Sequence, residues 1–186
     1  ARYVGGNDEY RLRAEVTAVS PDLILRVNFP QPQKLESDDE WLDVPLARLR
    51  AFDRASSNPK WLKDAGLTFS FTTSGLDDPS AFGKRVREAI ARGLSREDAL
   101  AAVTTVPARQ LGLADRLGSL EAGKIASLVV ATGEPFEEKA RVAEIWIDGS
   151  RIEPRLSKDE REEAGTKTPH PTPLPPGEGG GTWKRE

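Results

Sequence analysis

Six residues combine a chemically useful side chain with a place at the end of an expected strand: Asn28, Thr72, Thr73, Ser74, Asp77 and Asp78. Ser74 followed by Gly75 has the form of a nucleophile turn, but a serine attacks only when a base takes its proton. The sole histidine, His170, lies in a Pro/Gly-rich tail, and there is no cysteine, so serine or thiol catalysis has little support. The carboxylates of Asp77 and Asp78 could ligate a metal or serve as a base. Asp78, however, precedes Pro79, the pattern of a helix N-cap with proline at the first helical position. Asp77 reads more simply as a solvated turn residue. Asn28 either contacts substrate or forms a turn. Thr72 and Thr73 either bond a ligand or cap the strand they end. Glu121-Ala122-Gly123-Lys124 lacks the glycine-rich frame of a phosphate loop, and Trp146 reads as a core or edge aromatic.

The elements that would position these residues alternate. Arg2-Tyr3-Val4 reads as the end of a strand, Gly5-Gly6 as a turn, and Asn7 or Asp8 as the N-cap of a helix reaching Val19. Asp22–Val27 is an apolar run of strand length that Pro30 stops. A polar loop over Gln31–Asp39 follows, then a helix within Leu42–Arg54 starting near Pro45. Asn58 reads as an N-cap with Pro59 at the first helical position of a short helix that runs to Asp64 and is closed by Gly66. Leu67–Thr72 alternates apolar and hydroxylic residues, the clearest strand pattern in the chain. After Asp78-Pro79, Phe82, Val86 and Ile90 recur at helical spacing until Gly93. Ser95 and Asp98 resemble a capping box for a helix carrying Leu100 and Val103, and Pro107 starts another turn through Leu111. Ala126–Thr132 and Arg141–Ile147 read as strands, with Asp148-Gly149 giving a two-residue hairpin before Ser150–Glu153.

Strand–helix alternation implies βα units on a parallel sheet, with the ends of the first three strands on one face. The later strands form a separate antiparallel piece. Beyond Pro154 the chain is charged and then Pro/Gly-rich, a composition that buries too little surface to offset its ordering entropy. Its PHPTPLPP stretch has the spacing of a polyproline ligand, although a solvated tail is the simpler reading. The expected divisions are therefore 1–113, 114–153 and 154–186.

The 186 residues suffice for one ordinary domain or slightly more. A net charge of −3 gives no basic surface for nucleic acid or anionic membrane. No apolar run approaches the roughly 20 residues of a membrane helix, and the N-terminus has no signal-peptide pattern. Absent cysteine excludes a disulfide framework and fits a cytoplasmic protein. The chain has no methionine and opens on Ala1, which leads to the expectation that it is cut from something longer.

The stretch from Leu94 to Gly149, within GLSREDALAAVTTVPARQLGL, DRLGSLEAGKIASLVVATGEPF and RVAEIWIDGSRIE, resembles the C-terminal end of the amidohydrolase superfamily, near its imidazolonepropionase-like and cyclic-amide branches. LTFSFTTSG and the helix after it resemble the last barrel strand, its active-site turn and the next helix. The resemblance is strong from Thr68 to Glu153 and looser before. It implies an α/β fold: the C-terminal part of a (β/α)₈ barrel over 1–113, and over 114–153 strands of a β-sandwich shared between the two chain ends. It also implies zinc or another divalent metal, held in the complete family member by an H-x-H pair, two later histidines and often a lysine. There the metal activates a water and an aspartate at the last strand takes its proton.

This chain departs from that pattern. No histidine lies in any expected strand, and the position matching the family aspartate holds Ser74. A hydroxyl is a poor zinc ligand and a poor base near neutral pH. The resemblance then implies no metal on this chain and no confident catalytic residue, with Asp77 the remaining carboxylate. Substrate contacts are expected at Asn28, Thr73 and Ser74. The expected function is that of a C-terminal portion of a hydrolase of non-peptide carbon–nitrogen bonds, inactive by itself. Its partner would be the N-terminal half of the barrel or another chain, its parent's substrate a small amide, cyclic amides included. Open barrel edges and an unpaired sandwich sheet predict poor solubility or self-association. The alternatives are a degenerate, non-catalytic member serving as a binding or assembly subunit, or a remnant without function.

Overall fold

The computed structural model describes residues 2–19, 22–31 and 44–152. It divides the chain into two units, Ala1–Glu153 and Pro154–Glu186. The second unit, with His170 and the polyproline-like stretch, lies outside the described residues, as does most of the expected loop over Gln31–Asp39.

Three parallel strands form the first sheet: β1 (Arg2–Gly5), β2 (Asp22–Arg26) and β3 (Phe69–Thr72), in that order. Tyr3 sits beside Leu23 and Leu23 beside Phe69, so residues at one level share a face. On β2 and its extension, Leu23, Leu25, Val27 and Phe29 are buried while Ile24, Arg26 and Asn28 alternate with them and stay partly open. That period of two marks a sheet with one apolar face covered and the other accessible.

Helices cover the apolar face. After a 3-10 turn at Glu9–Leu12 comes α1 (Arg13–Val19). Next are α2 (Leu46–Ala55) and α3 (Asn58–Asp64), which bring Ala55 and Leu62 into the core. Beyond β3, a 3-10 turn at Pro79–Ala81 leads into α4 (Phe82–Ala91), whose Val86 and Ala89 are fully buried. Phe82 and Ile90 pack beside them, as their spacing predicts. Then come α5 (Arg96–Val103) and α6 (Thr105–Gln110), both against β3. The Ser95 hydroxyl accepts the Asp98 N–H at 3.0 Å, the capping interaction read from the sequence. Leu100 is exposed, and Ala99 and Ala102 of the same helix are in the core.

The second sheet is antiparallel: β4 (Leu128–Ala131), β5 (Val142–Ile147) and β6 (Ser150–Ile152). Asp148 and Gly149 both take positive φ, 51° and 75°, the backbone of a primed two-residue hairpin turn. The two faces of this sheet differ. One carries Val129, Ile145, Ile147 and Ile152 with no charge among them. On the other, Glu144 pairs with Arg151 at 3.2 Å and accepts the Trp146 indole N–H at 2.8 Å. Val129, Ile147 and Ile152 are between 44% and 61% exposed, so the apolar face is open.

Two local expectations are corrected. Of the two candidate caps, Asn7 takes φ 79° while Asp8 directly precedes the 3-10 turn, its carbonyl accepting the Arg11 N–H at 3.0 Å, and the α-helix itself begins only at Arg13. The N-cap of α3 is Ser57, and Asn58 is the first helical residue, 1% exposed, its amide turned into the protein. Leu62 fills the space between α3 and the sheet at 0% exposure. Leu62→Ala is expected to cost about 2–5 kcal/mol, read as a lower urea midpoint with an unchanged slope.

Candidate functional site

The C-terminal ends of the parallel strands place Gly5-Gly6-Asn7, Asn28 and Thr73-Ser74-Gly75 together. Their arrangement begins with Glu9, 3% exposed. One carboxyl oxygen accepts the Gly6 N–H and the other accepts Asn58 Nδ2 at 2.7 Å. Asn58 Oδ1 in turn accepts the Tyr10 N–H at 2.8 Å, and the Tyr10 ring meets Trp61 edge-on at 5.1 Å between centroids. Glu9 lies directly over Gly5: a Cβ there would fall 2.3 Å from its Oε1, so a side chain at this position would have to displace the Glu9 carboxyl from its partners.

This arrangement fixes the backbone at Gly6 and, with it, Asn7. Asn7 Nδ2 donates to Asn28 Oδ1 at 2.9 Å and, more weakly, to the Asn28 carbonyl at 3.4 Å. With its oxygen engaged, Asn28 turns Nδ2 toward Gly75, where an added Cβ would lie 2.8 Å from it. Gly75 has φ 84°, so both its conformation and this close approach exclude a side chain. The Arg26 side chain reaches the same place, its Cδ 3.7 Å from that Cβ position. Arg26 is level with Thr72 on β3.

Of the residues singled out in the sequence, Asn28 and the Ser74–Gly75 turn are therefore brought together. The Thr72 hydroxyl accepts the Ser74 N–H at 3.2 Å and so caps the strand end. The side chains of Thr73 and Ser74 are exposed, as is Asp77. Asp78 is the N-cap of the following turn, accepting the Ser80 N–H at 2.9 Å and the Ser80 hydroxyl at 2.6 Å. Those two bonds hold its carboxyl below the usual value of 3.8. Asn7, Glu9 and Arg26 were not singled out. The N-D-E spacing after two glycines was the available signal for the first two, but nothing local tells a buried Glu from a solvated one.

Zinc needs imidazole or carboxylate donors left free to coordinate. The strand ends offer amides, hydroxyls and a guanidinium, and the buried carboxyl is taken up by Gly6 and Asn58. Among the described residues no three His, Asp or Glu groups converge. The donor set does not fit a divalent metal.

A model of the amidohydrolase family matches residues 36–153, more than half of the chain. Amidohydrolase tasK of Hapsidospora irregularis is 36% identical over 107 residues, 55% of this chain and 11% of that protein. Imidazolonepropionase of Erwinia tasmaniensis is 60% identical over 59 residues, 31% of this chain and 13% of that protein. An amidohydrolase structure from Thermotoga maritima aligns with a TM-score of 0.63 at 25% identity, covering 83% of this chain and 37% of the other. The chain thus spans well under half the length of these relatives.

Two outcomes follow from the geometry. Asn58→Leu leaves a Glu9 oxygen and the Tyr10 N–H without a partner, so unfolding free energy is expected to fall by about 1–3 kcal/mol for each stranded group, measured by urea denaturation. The lowered Asp78 pKa means that its contribution to stability is present above pH 3.8 and is lost as pH falls through the lower folded value. Ser80→Ala is expected to return the Asp78 carboxyl toward 3.8 in an NMR pH titration.

Proposed function

This chain belongs to the amidohydrolase family, and from that premise we propose that it is the C-terminal portion of a hydrolase of non-peptide carbon–nitrogen bonds, without turnover of its own. In this reading β1 to β3 are late strands of a (β/α)₈ barrel occupying 1–113. The segment 114–153 supplies strands to a composite sandwich, and 154–186 is a tail. The observation that carries the reading is the donor set at the strand ends. A family whose members generally use metal-activated water is represented here by a strand-end face that offers a metal nothing to bind, with Ser74 where the family aspartate is expected.

Asn28, Thr73 and Ser74 are then substrate-facing groups of a small-amide site whose metal ligands lie on other residues of the parent or on a partner chain. Zinc or a related divalent ion would be held there. The open face of the parallel sheet and the uncharged face of β4–β6 support the same reading, because each is an apolar or half-covered surface of the kind that packs against further structure. Left uncovered, the β4–β6 face would drive self-association. No helix among the described residues is long and apolar enough to cross a membrane, and a cytoplasmic setting is part of the proposal. The second reading, a degenerate binding or assembly subunit, is favoured by the same Ser74. The DNA upstream of Ala1 separates the two: an in-frame H-x-H motif supports the hydrolase, and its absence supports the subunit.

Elemental analysis after size-exclusion chromatography, joined to an amide-hydrolysis assay, tests the proposal. The purified chain is expected to hold far less than stoichiometric zinc, to self-associate and to release no product. Ile147→Glu is expected to shift the elution toward monomer. A monomer with one zinc per chain and measurable turnover would overturn the reading.

A further inference from the structure

We propose that Arg26 and Asn28, gathered against Gly75, form a binding site for the carboxylate of a small ligand. The site deepens the reading of the strand ends as a ligand-facing surface and rests on it for location only, since binding an anion requires no hydrolysis.

Arg26 alternates with the buried Leu25 and Val27 and so lies on the sheet face opposite the core, next to Thr72. Its Nε is shielded from solvent and has no hydrogen-bond partner, and no ion pair joins its guanidinium to another described residue. A shielded guanidinium N–H without an acceptor is costly, and such a group calls for an explanation. The side-chain amide beside its stem presents a donor to it, not an acceptor. Asn28 Oδ1 is occupied by Asn7, which leaves Nδ2 presented toward Gly75, beside the Arg26 stem. The carboxyl of Glu9 is occupied by Gly6 and Asn58, and that of Asp78 by Ser80.

The Arg26 stem and the Asn28 amide meet at Gly75, and the carboxyl groups of Glu9 and Asp78 are engaged elsewhere, so a guanidinium and an amide N–H are offered to the planar, two-oxygen acceptor of a carboxylate. Gly75 keeps the space in front of these donors clear, because any side chain there would displace Asn28. Asn7 thereby acts as a positioning residue: it sets which end of the Asn28 amide faces the ligand.

The test is NMR titration of the full chain, following the Arg26 Nε–H and the Asn28 side-chain amide. The probes are N-acetylglycine, its neutral amide, and inorganic phosphate. N-acetylglycine is expected to shift both signals saturably and the neutral amide to leave them in place. Arg26→Gln is expected to weaken binding about tenfold or more, the loss typical of one charge-assisted hydrogen bond. Should Arg26→Gln lose its native circular dichroism, Asn28→Asp serves instead, since a carboxylate facing the guanidinium is expected to abolish binding. A folded wild-type chain with no shift at Arg26 overturns the site, as does equal affinity in a folded Arg26→Gln. Binding of phosphate without N-acetylglycine overturns the carboxylate assignment. A chain that holds zinc and turns over amide but gives no shift at Arg26 removes this site alone. A metal-free chain that gives the shift retains the site whatever becomes of the hydrolase reading.

Discussion

Glu9 is ionisable, almost wholly buried, and held by two neutral donors with no cation beside it among the described residues. Burying such a group costs free energy that only well-directed hydrogen bonds offset. The backbone must therefore bring the Gly6 N–H to one oxygen while α3 brings the Asn58 amide to the other. A side chain at Gly5 would displace the Glu9 carboxyl from these partners. One carboxyl thus couples the end of β1, the first helical turn and α3. Asn7 is next in the chain from that fixed point, and the orientation of Asn28 follows from Asn7. Without this carboxyl the strand ends would have no single geometry to offer a ligand.

The two faces of the parallel sheet divide the labour that this geometry requires. The buried face, from Leu23 to Phe29, carries the apolar area that holds the helices in place. It leaves the opposite face free of core-packing demands, so polar groups can stand there at strand spacing. Ser70 shows how such a group is reconciled with burial: its hydroxyl donates to Gln110 Oε1 at 2.6 Å, and Gln110 Nε2 donates to the Leu23 carbonyl at 3.0 Å. A single glutamine on α6 thereby ties β3 to β2 and satisfies a buried hydroxyl, whereas Arg26, two residues further along β2 from Ile24, is left with an unmatched N–H.

Much of this fold could be read from local pattern. The apolar run of strand length at Asp22–Val27, the i, i+4, i+8 spacing of Phe82, Val86 and Ile90, and the Asp148-Gly149 turn are each decided within a few residues. The errors occurred where a distant partner decides. Asn58 has the residue type of an N-cap and stands before a proline, yet Glu9 and the Tyr10 N–H, 48 or more positions away, claim its amide. On α5 the side buried against the core is marked by Ala99 and Ala102 and not by Leu100, a choice of face that local residue type does not reveal. The site was legible as a set of strand ends and not as a network. Asn28 could be named from its place after β2; its orientation depended on Asn7, and the part played by Arg26 depended on the path of a chain 49 residues later at Gly75.

The same physical logic separates this strand-end face from a metal centre. A metal site needs several acceptors converging on one point, with their mutual repulsion relieved by the cation. Here the acceptors are consumed internally: Glu9 by Gly6 and Asn58, Asn28 Oδ1 by Asn7, Asp78 by Ser80. At Glu9 and Asp78 the bonds take up carboxyl lone pairs that a cation would need, and at Asn28 the bond from Asn7 leaves the amide Nδ2 as the presented group. Placing an aspartate at position 74 would add one exposed acceptor and would not by itself assemble the several converging ligands that a metal needs. The chemistry of this face therefore depends on the hydrogen-bond direction between two asparagines, a property that residue identity alone does not determine.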